Sequence, residues 1–391
     1  MAAPAQSATT ADPAKVGMFG VQDPTYDGTF RQSLAILALD AVGVTVDPTA
    51  IEWLLEQQCP DGGFMGFALD ATCTPDPVLF TAEDSNLTAL AAMALQAVGE
   101  TEAASAAAGF LTTVLDGSGG FQYQPGFGAD PNSSGLGVSA LISLGLDPTS
   151  FGGQDTASGL IAQQAGCSAD PLDIGGFVAP YSGQADLLAT VQALPAAGGS
   201  GYPVPAPAAF ADTVPDITCP GAFAEPALAA ADWLENQPLT AFSSVDQRAF
   251  AVMSFAAVAA GKTKATEIYA AMLTDLPSAI TDSAGQVRPG AAALYLLAGV
   301  ALGVSDPDAG ADLTAQLQAT LNTAAPTPPT ASPTTPAASP VAVATAASAN
   351  PTELADSGLP GAVVEQIWVA MVLLVIGVAL VAVSRRRSPR Q

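Results

Sequence analysis

The stretch Gln58-Cys59-Pro60-Asp61-Gly62-Gly63-Phe64 decides the fold of this chain, because its Gly-Gly-Phe triplet occurs three times. The triplet returns at Gly119-Gly120-Phe121 and at Gly175-Gly176-Phe177, first 57 and then 56 residues further on. A helical pattern at residues 51–58 precedes the first triplet, and the glycine pair ends that helix because glycine adopts conformations closed to other residues. Such regular spacing predicts that one supersecondary unit is repeated along the chain.

A second kind of segment lies between the triplets, apolar at helical spacing and closed by Gly or Pro. Each of these segments is followed by a partner helix, seen best at 51–58, 160–164 and 233–237. The six apolar segments are residues 33–43, 86–99, 133–145, 186–195, 246–261 and 290–303. Several begin with Asp, Ser or Asn, which is typical of helix N-caps. We therefore expect an all-α head over residues 26–323, an (α/α)6 toroid of six helical hairpins with an insertion at 198–221.

The spacing of Gln58, Gly62 and Phe64 resembles the Gln-x-x-x-Gly-x-Trp repeat of squalene cyclases and protein prenyltransferases, with Phe64 in place of the Trp. The six-hairpin head is therefore similar to the prenyltransferase and terpene-cyclase toroid superfamily, which also includes the α-domain of cobalamin carriers. The resemblance covers residues 26–322 and implies hairpins closed into a ring. Leu115 and Pro171 stand at the Gln position of the second and third repeats, so only the first repeat keeps the Gln.

The catalytic groups of that superfamily are absent from the sequence. There is no Asp-x-Asp-Asp tetrad, with which the cyclases protonate their substrate, and no His for the zinc site of the prenyltransferases. Carrier α-domains bind without catalysis, so a corrinoid stays among the candidate ligands, although the carriers' second, β-rich domain does not follow the head. The sequence favours a non-catalytic binding protein. A structural or adhesive module without a small ligand and a divergent enzyme of the cyclase fold are the alternatives.

Charge excludes one class of partner. The chain has 36 acidic and 10 basic residues, and its net charge is −26. All but one of the acids and all but four of the bases precede residue 365, which leaves residues 1–364 with a net charge of −29. A nucleic-acid partner is therefore not expected, because almost no base is available to neutralise phosphates.

The C-terminal part of the chain predicts a surface anchor. Residues 324–353, rich in Pro, Ala and Thr, are typical of a disordered, extended stalk. Residues 354–358, Leu354-Ala355-Asp356-Ser357-Gly358, resemble a Leu-Ala-x-Thr-Gly sortase signal with Ser357 in place of Thr. The apolar residues 363–384 predict one transmembrane helix, and the basic tail 385–391 places that end in the cytoplasm. The resemblance implies a sortase and peptidoglycan as partners; if Ser357 is not accepted, the helix itself anchors the chain in the membrane.

This orientation places the head outside the cell, at the cell surface. Residues 1–25 predict a flexible N-terminal segment, and they contain no apolar core of a secretion signal, so we expect the leader to have been removed. The Ala-rich, Asp-rich and Lys-poor composition resembles that of high-GC actinobacterial proteins and suggests a Gram-positive envelope.

The four cysteines, Cys59, Cys73, Cys167 and Cys219, all precede the stalk. Four cysteines allow three pairings, and an extracellular location favours disulfides. Proximity along the chain favours Cys59 with Cys73 and Cys167 with Cys219. A metal site is not expected, because the chain has neither a Cys-x-x-Cys pair nor a His.

Candidate ligand-binding residues lie in the loops that form one face of such a ring. They are Tyr26, Asp84, Asn86, Gln122, Tyr123, Phe127, Asp130, Asn132 and Tyr181. Exposed Tyr beside Gly and Pro suits a shallow rim around a ligand, although half-buried edge residues have the same pattern. The four Asp and Asn residues could face the same mouth or bind calcium; N-capping is their alternative role.

Overall fold

A computed structural model describes residues 16–20, 28–65, 73, 83–219 and 222–323. Over these residues the chain forms helices, turns and isolated β-bridges but no strand, so the prediction of an all-α head is confirmed. The twelve α-helices are α1 (Thr29–Ala41), α2 (Pro48–Glu56), α3 (Ser85–Ala97), α4 (Thr101–Leu111), α5 (Pro131–Ser143), α6 (Thr156–Ile161), α7 (Leu187–Ala197), α8 (Pro226–Glu235), α9 (Val245–Ala257), α10 (Lys262–Ala279), α11 (Pro289–Leu302) and α12 (Leu313–Ala319).

The predicted stalk, sorting signal, transmembrane helix and basic tail lie outside the described residues. Among the helices that are described, none combines the length and the apolar character needed to cross a bilayer.

Alternate helices contact one another in a closed cycle. Helices α1, α3, α5, α7, α9 and α11 each contact the next one, and α11 contacts α1; we call them the ring helices. The even-numbered helices pack against them, each on the ring helix that precedes it in the chain. The ring helices correspond to the six apolar segments of the sequence. They are buried on almost all sides, as in α11, where residues 292–299 are all buried. Helices that are apolar all round belong at the centre of a fold.

Three ring helices begin in the same way. Asp84, Asp130 and Asp186 cap α3, α5 and α7, and each side chain accepts the backbone N–H of the residue three positions on, at 2.8, 2.9 and 2.9 Å. Helix α9 begins instead with Ser244 and a capping box, so Asp246 lies inside its first turn rather than at its start. The N-cap role expected of Asp84 and Asp130 is therefore present.

The repeated triplets join each even-numbered helix to the ring helix that follows it. Phe64, Phe121 and Phe177 are fully buried. Their N–H groups donate to hydroxyls four residues after the N-cap of the next ring helix, those of Thr88, Ser134 and Thr190, at 3.0, 2.9 and 2.9 Å. Each even-numbered helix in these repeats therefore ends where the next ring helix begins. The ring helices thus run parallel, with their N-termini at one end of the ring, which we call the N-terminal end.

The glutamine of the first triplet has an equivalent that fixed spacing misses. The Nε2 of Gln58 donates to the carbonyls of Gly62 at 3.1 Å and Ala103 at 2.9 Å. The Nε2 of Gln164 makes the same pair of bonds, to Gly175 at 2.7 Å and Pro226 at 2.8 Å. The assignment of Pro171 to this position is therefore wrong, because the third turn is longer than the first.

Residues 16–20 belong to the fold, although the sequence places them in a flexible segment. Phe19 is buried, forms an antiparallel bridge with Leu321, and donates its N–H to Oε1 of Gln32 at 2.9 Å. Gln32 lies four residues after the N-cap of α1, so Phe19 takes the place that Phe64 takes in its own repeat. Burial of Met18 and Phe19 explains why the expectation of flexibility is wrong for this stretch.

The insertion that follows α7 covers the opposite end of the ring; we call residues 199–214 the plug segment. Tyr202 is buried, its carbonyl accepts from Ser143 Oγ at 3.4 Å, and its N–H points to Met93 Sδ at 3.4 Å. Its ring stands edge-on to Phe250 with centroids 5.8 Å apart. Met93 and Phe250 belong to α3 and α9, which are opposite one another in the cycle, so Tyr202 lies on the axis of the ring.

Both predicted disulfides are present. Cys59 is bonded to Cys73, and Cys167 is bonded to Cys219, the latter closing a stretch that includes the plug segment. No free cysteine occurs among the described residues. Two disulfides suit a protein of an oxidising, extracellular environment.

Candidate functional site

The face that each ring helix turns to the ring axis can be identified by numbering its residues from the N-cap. Positions two, six, nine and thirteen lie on one face of a helix. Tyr202 contacts position six of α9 (Phe250) and position nine of α3 (Met93), so this face points to the axis. The Tyr202 carbonyl meets position thirteen of α5 (Ser143), whereas its ring meets position six. The hydroxyl of Tyr202 therefore points along the axis towards the N-terminal end.

Polar side chains gather at the N-terminal end of this face. Position two is Asn86 in α3, Asn132 in α5 and Asp246 in α9, and all three are half-buried. Asn132 Nδ2 donates to Oε1 of Gln192, at position six of α7, at 2.7 Å. We call Asn86, Asn132, Gln192 and Asp246 the axial cluster. It stands above an apolar layer formed by position six of other ring helices, including Leu90, Leu136 and Phe250.

Asp246 is the one acid of the axial cluster. Burial raises the pKa of its carboxyl to about 7, and the positive charge of Arg288 opposes this rise only in part. The group is therefore shared between acid and carboxylate at neutral pH, and it can donate as well as accept a hydrogen bond.

A second carboxyl group beside the cluster behaves similarly. Asp84 is 1% exposed, and burial raises its pKa to about 7 against the hydrogen bonds that its carboxylate accepts. One of these comes from the hydroxyl of Tyr123, whose backbone N–H donates to the Asp130 carboxylate. The Tyr123 carbonyl accepts the N–H of Ser85 at 3.0 Å. Tyr123 thus ties the starts of α3 and α5 together. Burial and the two neighbouring carboxylates raise its own pKa well above 10.0, so it stays a donor.

Two equivalent loops lead into α5 and α7 at this end. Each is closed by an antiparallel bridge, between Gln122 and Ala129 in the first and between Val178 and Ala185 in the second. Each also presents an aromatic side chain to solvent: Phe127 is 65% exposed and Tyr181 is 61% exposed. We call them the aromatic loops.

The aromatic side chains of these loops are held from within the fold. Phe127 stands edge-on to Tyr123, with ring centroids 6.3 Å apart at 85°. The Tyr181 hydroxyl donates to Oδ2 of Asp186 at 3.1 Å. Gln122 Oε1 accepts the N–H of Gly126 at 2.9 Å and of Gly128 at 3.3 Å, so this amide oxygen holds the shape of its loop.

The structure therefore brings together most of the residues expected at the mouth. Asp84, Asn86, Tyr123, Asp130 and Asn132 lie at the starts of α3 and α5, and Phe127 and Tyr181 lie in the loops beside them; Tyr26 lies outside the described residues. Sequence reasoning missed Gln192 as a site residue. Its signal is one polar amide inside the otherwise apolar 187–197, on the same helical face as position two of the neighbouring helices.

In the part of the chain that the structure describes, the carboxylates of Asp84 and Asp130 are already engaged by the fold. Their carboxylate oxygens accept hydrogen bonds from the backbone N–H groups of Leu87 and Ser133. Among the described residues, Cys59, Cys73 and Glu83 come close enough together to share an ion. The two sulfurs are joined in a disulfide, however, and so provide no thiolate.

Comparisons with known proteins give little beyond this geometry. No family model matches the chain, and no curated protein matches it. Among solved structures it is similar to a protein from Actinoplanes, with 16% sequence identity and a TM-score of 0.43 over 71% of this chain and 78% of that one.

Proposed function

We propose that this chain is a cell-surface protein whose head, an (α/α)6 toroid, binds a small molecule at the N-terminal end of the ring without catalysis. The observation that carries the proposal is the axial cluster, which places three carboxamides and one carboxyl on the axis of an otherwise apolar ring. Gln192 is buried, and the other three side chains are half-buried. The closed cycle of helix contacts supports the toroid.

The polar character of the cluster favours binding over packing. A buried polar group without full hydrogen bonding costs about 1–3 kcal/mol, so a fold built only for stability would place apolar side chains on its axis. Positions six and nine of the same helix face are mostly apolar, whereas position two is polar in three of the six ring helices. The half-buried state of these side chains leaves them reachable from the N-terminal end.

Binding is tested by thermal unfolding of the full-length chain with cobalamin, calcium chloride, a polyprenyl phosphate, peptidoglycan fragments and neutral oligosaccharides. A ligand at 100 times its Kd should stabilise the fold by about 2.7 kcal/mol. The shift should shrink in Asn132→Ala, because the amide of Asn132 lies on the axis, and persist in Asn236→Ala, whose exposed amide lies at the end of α8. If no compound shifts the transition, the adhesive or structural alternative is favoured.

One observation favours a second candidate, a divergent enzyme. Asp84 and Asp246 both have a pKa raised to about 7 at the same end of the ring, and such a carboxyl can deliver a proton at neutral pH. Turnover of a polyprenyl or polysaccharide substrate that is lost in Asp84→Asn or Asp246→Asn would establish this candidate. Turnover that is absent from the wild-type chain under binding conditions supports the non-catalytic proposal.

Surface display forms the other half of the proposal. The disulfides suit an extracellular head, and the predicted stalk, sorting signal, membrane helix and basic tail suit an anchor. In its own host, we expect the head to remain with purified peptidoglycan after detergent extraction. The variant Gly358→Ala should move it to the detergent-soluble membrane fraction. A wild-type chain that is wholly extracted by detergent would contradict sortase attachment and leave the membrane helix as the anchor.

A further inference from the structure

We propose that the axial cluster and the aromatic loops bind an uncharged saccharide. This inference rests on the proposed binding at the N-terminal end of the ring and names the chemical class of its ligand. Four observations carry it: the charge around the site, the hydrogen-bonding groups on the axis, a buried hydroxyl without a partner, and two exposed aromatic rings.

Charge argues against an anionic ligand. Residues 1–364 carry a net charge of −29, so the field of the head repels anions such as phosphates or uronic acids. The positive ends of the ring-helix dipoles lie at the N-terminal end, where the capping carboxylates of Asp84, Asp130 and Asp186 offset them. The axial cluster itself consists of three neutral amides and a carboxyl that is partly protonated at neutral pH. An uncharged ligand does not meet this repulsion.

The hydrogen-bonding groups match hydroxyls. A sugar hydroxyl donates one hydrogen bond and accepts others, and a carboxamide offers both functions side by side. In the Asn132–Gln192 pair one donor and one acceptor are used on each other. Asn132 Oδ1 remains as a hydrogen-bond acceptor and Gln192 Nε2 as a donor, and neither atom has a partner among the described residues. Asp246 adds a group that can take either role.

The Tyr202 hydroxyl provides a further unused donor on the same axis. Tyr202 is 3% exposed, and its hydroxyl has no hydrogen-bond partner among the described residues. The hydroxyl points towards the N-terminal end, at the level of position six, where Gln192 also lies. Leaving such a group unpaired costs stability. The apolar layer shields the hydroxyl from solvent, so a ligand hydroxyl restores the missing bond only when the side chains of that layer move aside.

The aromatic loops add apolar surface at the rim. Phe127 and Tyr181 are large apolar side chains exposed on neighbouring loops, beside the starts of α5 and α7. The C–H face of a pyranose ring packs against an aromatic ring, which buries apolar area without requiring charge. Tyr123 and Asp186 hold the two side chains in place, so little side-chain freedom is lost on binding.

The test is isothermal titration of the full-length chain, in a detergent without a sugar headgroup, with cellotetraose, maltotetraose, mannotetraose, galactotetraose and tetragalacturonic acid. We expect at least one neutral tetrasaccharide to bind and the uronic acid, the charged counterpart of galactotetraose, not to bind. Asn132→Ala, Gln192→Met and Phe127→Ala should each weaken binding about tenfold, the loss expected for one good contact. The matched amide variant Asn236→Ala should bind as the wild type does.

Tyr202→Phe separates ligand binding from folding. Because the hydroxyl has no partner within the described fold, its removal should leave the free energy of unfolding unchanged or raise it, while saccharide binding weakens. Binding that is equally tight in Tyr202→Phe, Asn132→Ala and the wild type would overturn the assignment of the site.

The outcomes distinguish the inference from the proposed function. Binding of cobalamin, but of no saccharide, in an Asn132-dependent manner would overturn the saccharide class and keep the proposed binding function. Failure of every ligand would overturn both. Binding followed by cleavage of a tetrasaccharide would support the saccharide class and overturn the non-catalytic part of the proposed function.

Discussion

At the scale of single residues, acidity is the property most altered by the fold. Burial raises the pKa values of Asp84 and Asp246 from 3.8 to about 7. A carboxyl whose pKa is higher in the folded than in the unfolded state holds its proton more tightly when folded. Its stabilising contribution is present in full below pH 4 and is lost as the pH rises through 7.

The variant Asp84→Asn should remove part of this pH dependence. Between roughly pH 4 and 7 the wild-type chain should lose about 1–4 kcal/mol of unfolding free energy more than the variant does. Asparagine caps a helix as well as aspartate, so the start of α3 stays intact. Urea unfolding across this pH range measures the difference. Asp186→Asn, at the same position of α7 but less buried, is the control; an equal effect of both variants would contradict the argument.

A single glutamine joins two neighbouring repeats. Gln58→Leu leaves the carbonyls of Gly62 and Ala103 without their shared donor, so we expect a loss of about 1–3 kcal/mol in unfolding free energy. The neighbouring Gln57 bonds only to Trp53 within its own helix, and Gln57→Leu should cost less. Denaturant titration measures the unfolding free energy of both variants. An equal loss in the two would show a general cost of removing an amide and not a specific role of Gln58 between repeats.

The same residue shows what could be predicted from sequence. The sequence identifies Gln58 because it stands four residues before Gly62, a spacing that resembles a known repeat. Gln164 makes the same two bonds from eleven residues before Gly175, and a fixed spacing pointed to Pro171 instead. The two turns share the same pair of hydrogen bonds although they differ in length. Gln192 was missed for a related reason, since its role depends on which face of α7 meets the axis.

At the scale of elements, helix periodicity and N-caps were enough to place all six ring helices. What they could not show is that residues 16–20 belong to the last repeat, because five residues are too few to carry a period. These residues are held in the fold by the bridge between Phe19 and Leu321, two positions far apart in the sequence. The sequence indicates the insertion 198–221, but its position across one end of the ring depends on contacts of Tyr202 with helices distant in sequence.

Phe19→Ala should therefore destabilise the whole head and not only its edge. Removal of a fully buried phenylalanine side chain costs about 3–5 kcal/mol, and the unfolding midpoint in guanidinium should fall accordingly. The exposed Phe127→Ala serves as the control, since little packing is lost there. A loss for Phe19→Ala as small as that for Phe127→Ala would show that residues 16–20 contribute little.

The two disulfides should differ in their contributions. Cys167–Cys219 joins positions 52 residues apart, and Cys59–Cys73 joins positions 14 residues apart. The longer loop restricts the unfolded chain more. Replacing Cys167 and Cys219 by Ser should therefore cost about 4 kcal/mol of unfolding free energy, and replacing Cys59 and Cys73 by Ser about 3 kcal/mol. Urea unfolding of the two double variants under oxidising conditions compares them; the reverse order would argue against control by loop length.

At the scale of the whole molecule, repulsion between like charges opposes folding. With a net charge of −26, the folded chain should become more stable as salt screens its acids, since the Debye length falls from about 30 Å at 0.01 M to about 8 Å at 0.15 M. A thermal scan in sodium chloride should show a gradual rise in Tm. Calcium chloride at equal ionic strength is the control: a much larger rise in Tm with calcium than with sodium would reveal a specific ion site, which the capping carboxylates do not suggest.

The bridge between Phe19 and Leu321 also sets an order of events in time. Asn322 Nδ2 donates to the carbonyl of Gly20 at 2.9 Å, and the two residues are 302 positions apart in the sequence. At about 5–20 residues per second, the partner of Gly20 emerges from the ribosome roughly 15–60 s after Gly20 itself. Until then five repeats can stack, but the first one has an open side. The last residues of the head therefore act as a latch, and a chain interrupted shortly before Leu321 would retain nearly all its helices with an unsealed core.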